Sequence, residues 1–257
     1  MDPAAPRPSG YSITAETTGL HLEPLPPGYR PSELVLRLAV TETHEWFGIG
    51  GGSGRLRRPR RLSRDRTISL SPANSGGPDY LRSAADCRRL IVLATMDAFR
   101  DEGDHLRRVS PADWDEAVPR GAEARIAERA RAMPGAGAAG GAGACRCEVS
   151  IRVRVEFVYS EAAALLWACT EATGDGLASR RRASGPCSIC LEEMAAPDAA
   201  EATRLPGCGH GFHRRCIGGW FDKASTCPVC RRDKLRYLPP DYRAARDMIL
   251  SDPEGSC

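Results

Sequence analysis

Two stretches of alternating apolar and polar residues predict β-strands in this chain. In residues 33–41 every even-numbered position from Leu34 to Val40 is apolar. In residues 149–159 every odd-numbered position from Val149 to Tyr159 is apolar, with mainly Ser, Arg and Glu between them. Because successive side chains of a strand point to opposite faces, each stretch presents one continuous apolar face.

Helical spacing and capping residues predict helices between the two strands. Ser110, Pro111 and Asp113 form an N-cap sequence for one helical stretch, and Pro119 interrupts that stretch. An earlier helix is predicted over residues 83–101. Its apolar side chains at helical spacing are Cys87, Leu90, Ile91, Ala94 and Phe99.

A last helix and a glycine-rich loop complete a small α+β unit, which we expect over residues 33–173. Ser160 opens this helix, which spans residues 161–172. Residues 134–144 read PGAGAAGGAGA and predict a flexible linker or loop insertion. The unit therefore combines regular elements with long loops.

Polar, glycine-rich and proline-rich segments flank and interrupt this unit. Residues 1–32 are aperiodic and rich in proline, which predicts a disordered lead-in. Residues 48–54 are rich in glycine and end the first strand. Residues 55–66 hold seven arginines and a central proline, which argues against a stable core element. Residues 174–184 predict a linker, and residues 234–257 a C-terminal tail.

The composition argues against a single large enzyme core. Leu, Ile, Val and Phe account for 45 of the 257 residues, which is below the level of about 20% that accompanies disorder in highly charged chains. The net charge is only +3. The balance therefore predicts modest folded pieces joined by loose segments.

No membrane span or secretory signal is recognisable in the sequence. The longest apolar runs, residues 90–96 and 162–169, are far shorter than the length of about 20 residues that a transmembrane helix needs. The first residues lack the apolar centre of a secretory signal. We therefore expect no membrane partner and a cytoplasmic or nuclear location. In such a reducing compartment, paired cysteines are more often metal ligands than disulfides.

Six of the eleven cysteines cluster toward the C-terminal end, together with two histidines. The cluster is Cys187-x2-Cys190, seventeen further residues, Cys208-x-His210-x2-His213-x2-Cys216, ten further residues, and Cys227-x2-Cys230. Eight such side chains match the number of ligands that two tetrahedral zinc ions require. Because no coordination position is left open for water, we expect both zinc ions to be structural.

The spacing alone leaves the grouping of these ligands open. A sequential arrangement places the first four ligands along the chain on one ion and the last four on the other. An interleaved arrangement gives the same tally of three thiolates and one imidazole at each site. Counting ligands therefore does not separate the two arrangements.

The ligand order and the residues around it resemble the RING finger in its two-histidine variety. The matching segments read CSIC, LPGCGHGFHRRCIGGWF and TCPVCR, which places the finger at residues 185–233. One departure is Gly207, an additional residue before Cys208 relative to the commonest form, and it lengthens a loop. The expected fold is thus α+β, with a small zinc-stabilised cross-brace RING domain that follows a partly disordered region and the α+β unit.

The resemblance implies a particular grouping and a particular activity. One ion would take Cys187, Cys190, His213 and Cys216, and the other Cys208, His210, Cys227 and Cys230. The family consists largely of ubiquitin ligases. Their partners are ubiquitin, a ubiquitin-conjugating enzyme and a protein substrate, which is unknown here. Such ligases promote direct transfer of ubiquitin to a substrate lysine and form no covalent ubiquitin intermediate themselves.

Four further residues match functional positions of the family. Ile189, Trp220 and Pro228 match the docking surface for the conjugating enzyme, and an aromatic-anchored apolar patch is typical of partner binding. Arg231 follows the last ligand, where many members of the family place a cation that contacts both the conjugating enzyme and ubiquitin. Its guanidinium would hold the thioester in one attack-ready arrangement. The simpler alternatives are core filling by Trp220 and an ordinary surface position for Arg231.

A non-catalytic zinc-binding scaffold or a nucleic-acid-associated regulator is the alternative function. The arginines of residues 55–66 are also typical of a nuclear-import signal or a nucleic-acid contact. Most such runs are solvated linkers, however, so nucleic acid is the less favoured partner.

The cysteines outside the cluster and the two lysines limit which ubiquitin-transfer reactions are possible. None of the other cysteines has the sequence context of an acyl-accepting nucleophile; they are Cys87, Cys145, Cys147, Cys169 and Cys257. Lys223 and Lys234 are the only lysines, so self-modification would use these two side chains or the amino terminus. Leu205 and Phe212 are expected to fill the small core of the finger.

Overall fold

A computed structural model describes residues 6–26, 32–70, 80–99, 105–132, 144–174, 185–194 and 202–251. The loop predicted at residues 134–144 and the linker predicted at residues 174–184 lie almost entirely outside these described residues. Within the described ranges, no helix is long and apolar enough to cross a bilayer.

The chain divides into two compact units. The first unit comprises Met1–Tyr11, His44–Arg58 and Phe157–Cys257, and the second comprises Ser12–Thr43 and Pro59–Glu156. The cysteine-rich segment belongs to the first unit. The domain limits drawn from the sequence remain a prediction.

Four strands form one sheet with the order β1–β4–β2–β3. They are β1 (Gly10–Pro24), β2 (Ser32–Phe47), β3 (Ser53–Leu70) and β4 (Cys145–Ser160). The two predicted strands are confirmed as β2 and β4, and both extend beyond their predicted limits. They are the two central strands, in which alternate side chains such as Leu36 and Val155 are fully buried.

Residues 10–24 form β1, so the prediction of a disordered lead-in is wrong for this segment. The hydroxyl of Thr18 donates to the carbonyl of Ser150 (3.3 Å). Exposed and half-buried side chains alternate along most of the strand. An edge strand of this kind is stabilised by backbone pairing and needs few large apolar side chains. Overall hydrophobicity therefore gave no sign of it.

The arginine-rich residues 55–66 lie in a strand, β3, and not in an irregular linker. β3 is an edge strand with β2 as its neighbour. An edge strand tolerates proline and charged residues because one row of its backbone groups is unpaired. From Arg61 to Thr67, exposed and half-buried side chains alternate and none is fully buried. Over residues 61–67, the expectation that this segment is no core element therefore holds.

The predicted helices of the second unit are confirmed. They are α1 (Ala84–Ala98), α2 (Pro111–Ala117) and α3 (Ala122–Ala132). α1 begins after Ser83, whose hydroxyl accepts a hydrogen bond from the N–H of Asp86 (3.2 Å). Ser110 caps α2 in the same way by accepting from the N–H of Asp113 (3.2 Å). The break between α2 and α3 includes Pro119, as predicted.

Apolar and polar contacts join α1 to α2. The ring of Phe99 stacks on that of Trp114, with centroids 5.2 Å apart. Arg88 donates through Nε to Asp115 Oδ1 (3.0 Å) and through Nη1 to the carbonyl of Val118 (2.9 Å). The apolar face predicted for α1 is buried, as its spacing requires.

The first unit holds three short elements of the finger region and the helix that precedes them. They are α4 (Glu161–Gly174), β5 (Ala202–Arg204), β6 (Gly211–His213) and α5 (Arg214–Phe221). α4 confirms the helix predicted after Ser160. β5 and β6 pair in antiparallel fashion, and β6 leads directly into α5.

The segment assigned from the sequence as a C-terminal tail, residues 234–257, is largely helical over its described part. A 3₁₀ turn precedes α6 (Pro240–Ser251). Tyr242 of α6 is buried and packs on Trp46, with ring centroids 5.1 Å apart. Arg246 forms an ion pair with the buried Glu161 (3.5 Å between Nε and Oε1). The helix is therefore fixed by a few contacts distant in sequence.

Candidate functional site

Eight cysteine and histidine side chains form two clusters. The first contains Cys187, Cys190, His213 and Cys216, and the second contains Cys208, His210, Cys227 and Cys230. Within each cluster the four ligand atoms all lie within 4.8 Å of one another. The first cluster takes the first, second, fifth and sixth ligands along the chain. The structure therefore brings together the interleaved sets and not the sequential ones.

Two backbone turns of the same form hold the Cys-x2-Cys pairs. In the first turn the N–H of Leu191 donates to the carbonyl of Cys187 (2.7 Å), and in the second the N–H of Arg231 donates to the carbonyl of Cys227 (2.9 Å). Leu191 and Arg231 have φ angles of 65° and 58°. Residues other than glycine are uncommon in this left-handed region. Each turn thus accepts backbone strain in presenting two sulfurs to one ion.

The thiols of the clusters differ in acidity. Burial raises the pKa of the Cys187 thiol, but hydrogen bonds from backbone N–H groups, including that of Ile189, outweigh burial and lower the pKa to about 6. At Cys230 the backbone N–H of Arg232 lowers the pKa to about 6. Burial, followed by the neighbouring thiols, raises the pKa of Cys216 to about 11. Near neutral pH, ionisation of all three thiols of the first cluster therefore requires a cation between the sulfurs.

The donor chemistry of both clusters fits zinc. Each cluster offers three sulfurs and one imidazole nitrogen, a set that is typical of structural zinc sites. The two clusters are accordingly the ligand sets of two structural zinc ions. With all four positions of each ion occupied by protein, neither site activates water.

A buried core and a neighbouring helix support the clusters. Leu205 and Phe212 are fully buried, which confirms their expected role in the core of the finger. Gly218 of α5 lies against Leu166 of α4, and a Cβ at Gly218 would be 3.3 Å from Leu166 Cδ2. The absence of a side chain at this glycine allows α4 to pack closely on the finger.

The three predicted docking residues lie in the two turns and on α5. Ile189, in the first turn, is 36% exposed. Pro228, in the second turn, is half-buried. Trp220 is also half-buried, and its indole N–H donates to the carbonyl of Thr226 (2.7 Å). The polar edge of Trp220 is thus fixed while part of its ring stays accessible, which simple core filling does not require.

Two further apolar residues stand beside the predicted docking positions, and the sequence reasoning missed them. Leu191 follows Ile189 by two residues and is 79% exposed, and Val229 follows Pro228 directly and is 48% exposed. Both lie in the Cys-x2-Cys turns. An apolar residue inside or just after such a turn is the signal that could have identified them, because the turn is too short to bury it.

The two arginines after the last ligand have different surroundings. Arg231 is exposed and occupies the left-handed position of the second turn. Arg232 instead donates through Nη1 to the carbonyl of Gly207 (2.8 Å). Both side chains are exposed, and the hydrogen bond of Arg232 ties it to the loop that precedes Cys208.

The two lysines also differ. Lys223, just after α5, is exposed. Lys234 has no exposed surface, and its Nζ donates to the carbonyl of Pro206 (2.9 Å). The expectation that both lysines are available for self-modification is therefore corrected, because a buried amine cannot attack a thioester.

The cysteines outside the clusters that the structure describes are buried and weakly acidic. Burial raises the pKa of Cys87 and Cys147 to about 12 and that of Cys169 to about 11. Cys145 is shifted in the same direction by burial. Thiols of this kind stay protonated near neutral pH and are poor nucleophiles. Cys257 lies outside the described residues.

Comparison with known proteins finds similarity in the finger region. A family model described as "Ring finger domain" matches residues 185–231. The E3 ubiquitin-protein ligase ATL23 of Arabidopsis thaliana is 43% identical over 68 residues, which are 26% of this chain and 39% of that protein. The E3 ubiquitin-protein ligase EL5 of Oryza sativa subsp. japonica is 51% identical over 45 residues, 18% of this chain and 13% of its own.

A mammalian relative is similar over an equally short stretch. The E3 ubiquitin-protein ligase Praja-2 of Mus musculus is 43% identical over 68 residues, 26% of this chain and 9% of its own. The chain thus covers well under two thirds of each of these relatives. No solved structure matches the chain.

Proposed function

We propose that this chain, whose residues 185–231 form a RING finger of the two-histidine variety, is a ubiquitin ligase. It binds a conjugating enzyme that carries ubiquitin as a thioester and promotes direct transfer of ubiquitin to a substrate lysine. One observation carries the proposal: apolar side chains and an arginine are exposed on the same two turns that supply both zinc sites. Relatives named as E3 ubiquitin-protein ligases are 43% and 51% identical over 68 and 45 residues.

The docking step uses the exposed apolar residues of the turns. Ile189, Trp220 and Pro228 form the predicted surface, and the exposed Leu191 and Val229 extend it. Contact with a partner removes apolar surface from water and stabilises the complex. Because the turns are tied to the zinc ligands, the surface is ordered before the partner arrives, which lowers the entropic cost of binding.

The transfer step uses Arg231. Its guanidinium presents several N–H donors in a rigid fork and can therefore donate to carbonyl groups on two proteins at once. Contact with both the conjugating enzyme and ubiquitin restricts the orientations of the thioester. Such restriction accelerates attack by a lysine without any covalent bond to the ligase.

The buried thiols favour direct transfer over a two-step mechanism. A ligase that accepts ubiquitin on its own cysteine needs an accessible thiolate. Among the described cysteines outside the finger, each is buried and burial raises its pKa. Selection of the substrate falls to a part of the chain outside the finger, and residues 33–173 are the candidate region. A cytoplasmic or nuclear location remains a prediction.

A thioester discharge assay tests the proposed function. The zinc-loaded chain is mixed with a panel of ubiquitin-charged conjugating enzymes and free lysine, and the loss of thioester is followed. We expect faster loss with at least one conjugating enzyme. Ile189→Ala should reduce the stimulated rate about tenfold, because truncation of an interface anchor costs about 1 to 2 kcal/mol.

Leu93→Ala is the matched control, since Leu93 is an exposed aliphatic residue of α1 in the second unit (48% exposed). It should leave the rate unchanged. If the chain stimulates no conjugating enzyme of the panel, the ligase proposal fails and the zinc-binding scaffold becomes the better description. Equal loss of rate in the Leu93 and Ile189 variants would also contradict docking through the finger.

A further inference from the structure

A fully buried lysine lies against the second zinc cluster. Lys234 Nζ donates to the carbonyl of Pro206 (2.9 Å) and to Sγ of the ligand Cys208 (3.3 Å). An ammonium group is strongly hydrated, so its burial is costly unless hydrogen bonds and opposite charge replace the water. The acceptors at Lys234 are a carbonyl oxygen and a thiolate sulfur, which ties the compensation to the metal site.

We infer that Lys234 is a positioning residue of the second zinc site, where it holds the Cys208 thiolate and offsets the charge of the ligand set. Three thiolates, one neutral imidazole and Zn²⁺ carry a net charge of −1. One ammonium brings this group to neutrality. The inference concerns the metal site and holds whether or not the chain is a ligase.

The loop before Cys208 is longer than usual, and this explains why the Lys234 ammonium group is needed to hold it. Gly207, the additional residue of this loop, has a φ of +74°, and a Cβ there would collide with the guanidinium of Arg236. The carbonyls of Pro206 and Gly207 accept hydrogen bonds from Lys234 and Arg232 (2.9 and 2.8 Å). Cations from the segment after the last ligand thus hold the lengthened loop at two successive carbonyls.

Lys234 is itself held in place by the backbone around the second Cys-x2-Cys turn. Its N–H donates to the carbonyl of Ser225 (2.9 Å), and its carbonyl accepts from the N–H of Tyr237 (2.8 Å). Thr226 and Asp233 pair across the same turn. The backbone of Lys234 thus belongs to the segment that holds the Cys227 turn, while its ammonium group contacts Cys208. Lys234 therefore connects the two parts of the chain that supply the second cluster.

The alternative is that the lysine stem only fills space, as buried stems of long side chains often do. Lys234→Met separates the two roles because it keeps an apolar stem of similar length and removes the ammonium. Lys223→Met is the matched control at an exposed position. Lys234→Arg keeps the positive charge and its donors and serves as the conservative variant.

The test measures zinc retention at each site separately. The zinc-loaded full chain is treated with a chelator and a thiol-alkylating reagent, and mass spectrometry follows the labelling of each cysteine. We expect Lys234→Met to speed labelling of Cys208, Cys227 and Cys230 about 10- to 100-fold, the usual effect of losing a partner of a metal ligand. Labelling of Cys187, Cys190 and Cys216 should change little. Lys234→Arg should behave more like the unchanged chain, and Lys223→Met should be identical to it.

The inference would be overturned if Lys234→Met changed the labelling rates of both clusters by the same factor, or changed neither of them. Acceleration at both clusters indicates a general folding role, and no change indicates a space-filling stem. If the variant purifies with one zinc ion, the metal should be retained by the first cluster, which comprises Cys187, Cys190, His213 and Cys216. Loss of both ions on purification contradicts a role specific to the second site.

Discussion

In the finger, six cysteines and two histidines form the ligand sets of two zinc ions, whereas in the second unit the buried groups are mainly apolar. Leu36, Ile126 and Trp114 of the second unit are 0 to 2% exposed. The finger buries few large apolar side chains, among them Leu205 and Phe212. A segment of this size gains only a few kcal/mol from its own core. The order of the finger therefore depends on metal binding, and that of the second unit depends on removing apolar surface from water.

Removal of zinc should separate the two regions most strongly. Zinc binding to small metallodomains contributes roughly 10 to 16 kcal/mol in apparent terms, so a chelator should unfold residues 187–230. Over its described residues the second unit holds no cluster of this kind, so its core should persist. Hydrogen exchange measured peptide by peptide provides the readout. Amides of the finger should lose protection, while those of α1 and the second-unit part of β4 should keep it.

Readdition of zinc is the control and should restore protection in the finger. Retained protection of the finger in the metal-free chain would contradict a metal-dependent fold. Loss of protection in both regions would show that the second unit also relies on the ions.

A core truncation should have the reverse effect. Leu36→Ala removes a fully buried side chain from the central strand β2, and such truncations lower the free energy of unfolding by about 2 to 5 kcal/mol. Urea unfolding of the second unit should shift accordingly, while metal analysis still finds two zinc ions. Leu93→Ala, at an exposed position of α1, should change the free energy of unfolding by about 0.5 kcal/mol or less. Loss of zinc in Leu36→Ala would contradict the view that the finger and the second unit are stabilised independently.

The finger could be predicted from sequence because its determinants are few and local. Short spacings such as Cys187-x2-Cys190 restrict which backbone turn is possible, and the ligand count restricts the metal. The grouping could not be derived from counting, because both arrangements have the same ligands. The burial of Lys234 was also beyond reach, since it depends on where Pro206 and Cys208 lie in three dimensions.

The sheet was predictable only where one strand face is strongly apolar. β2 and β4 show this alternation and were found, as was α1 from the helical spacing of its apolar residues. β1 and β3 are edge strands whose side chains, over the positions described, are at most half-buried. Their pairing depends on backbone hydrogen bonds to an adjacent strand, and the sequence of the segment alone does not indicate that such a strand is present.

The smallest expected effect on stability comes from a substitution at the exposed lysine. Lys223→Arg changes a surface side chain and should alter the free energy of unfolding by about 0.5 kcal/mol or less. It should nevertheless abolish nearly all lysine-linked self-modification, because Lys234 is buried. Mass spectrometry of the self-modified chain should find ubiquitin on Lys223 and none on Lys234. Attachment at Lys234 would show that this part of the finger opens during the reaction.

The proposed function requires that the finger dock a charged conjugating enzyme through its apolar turns and restrict the thioester through Arg231. The most direct measurement is the discharge rate as a function of chain concentration for two variants. Ile189→Ala should raise the concentration needed for half of the maximal rate, because it weakens docking. Arg231→Ala should leave that concentration nearly unchanged and lower the maximal rate about tenfold or more, because it removes only the restriction of the thioester. An unchanged maximal rate in the Arg231 variant, or the same change in both variants, would contradict the account.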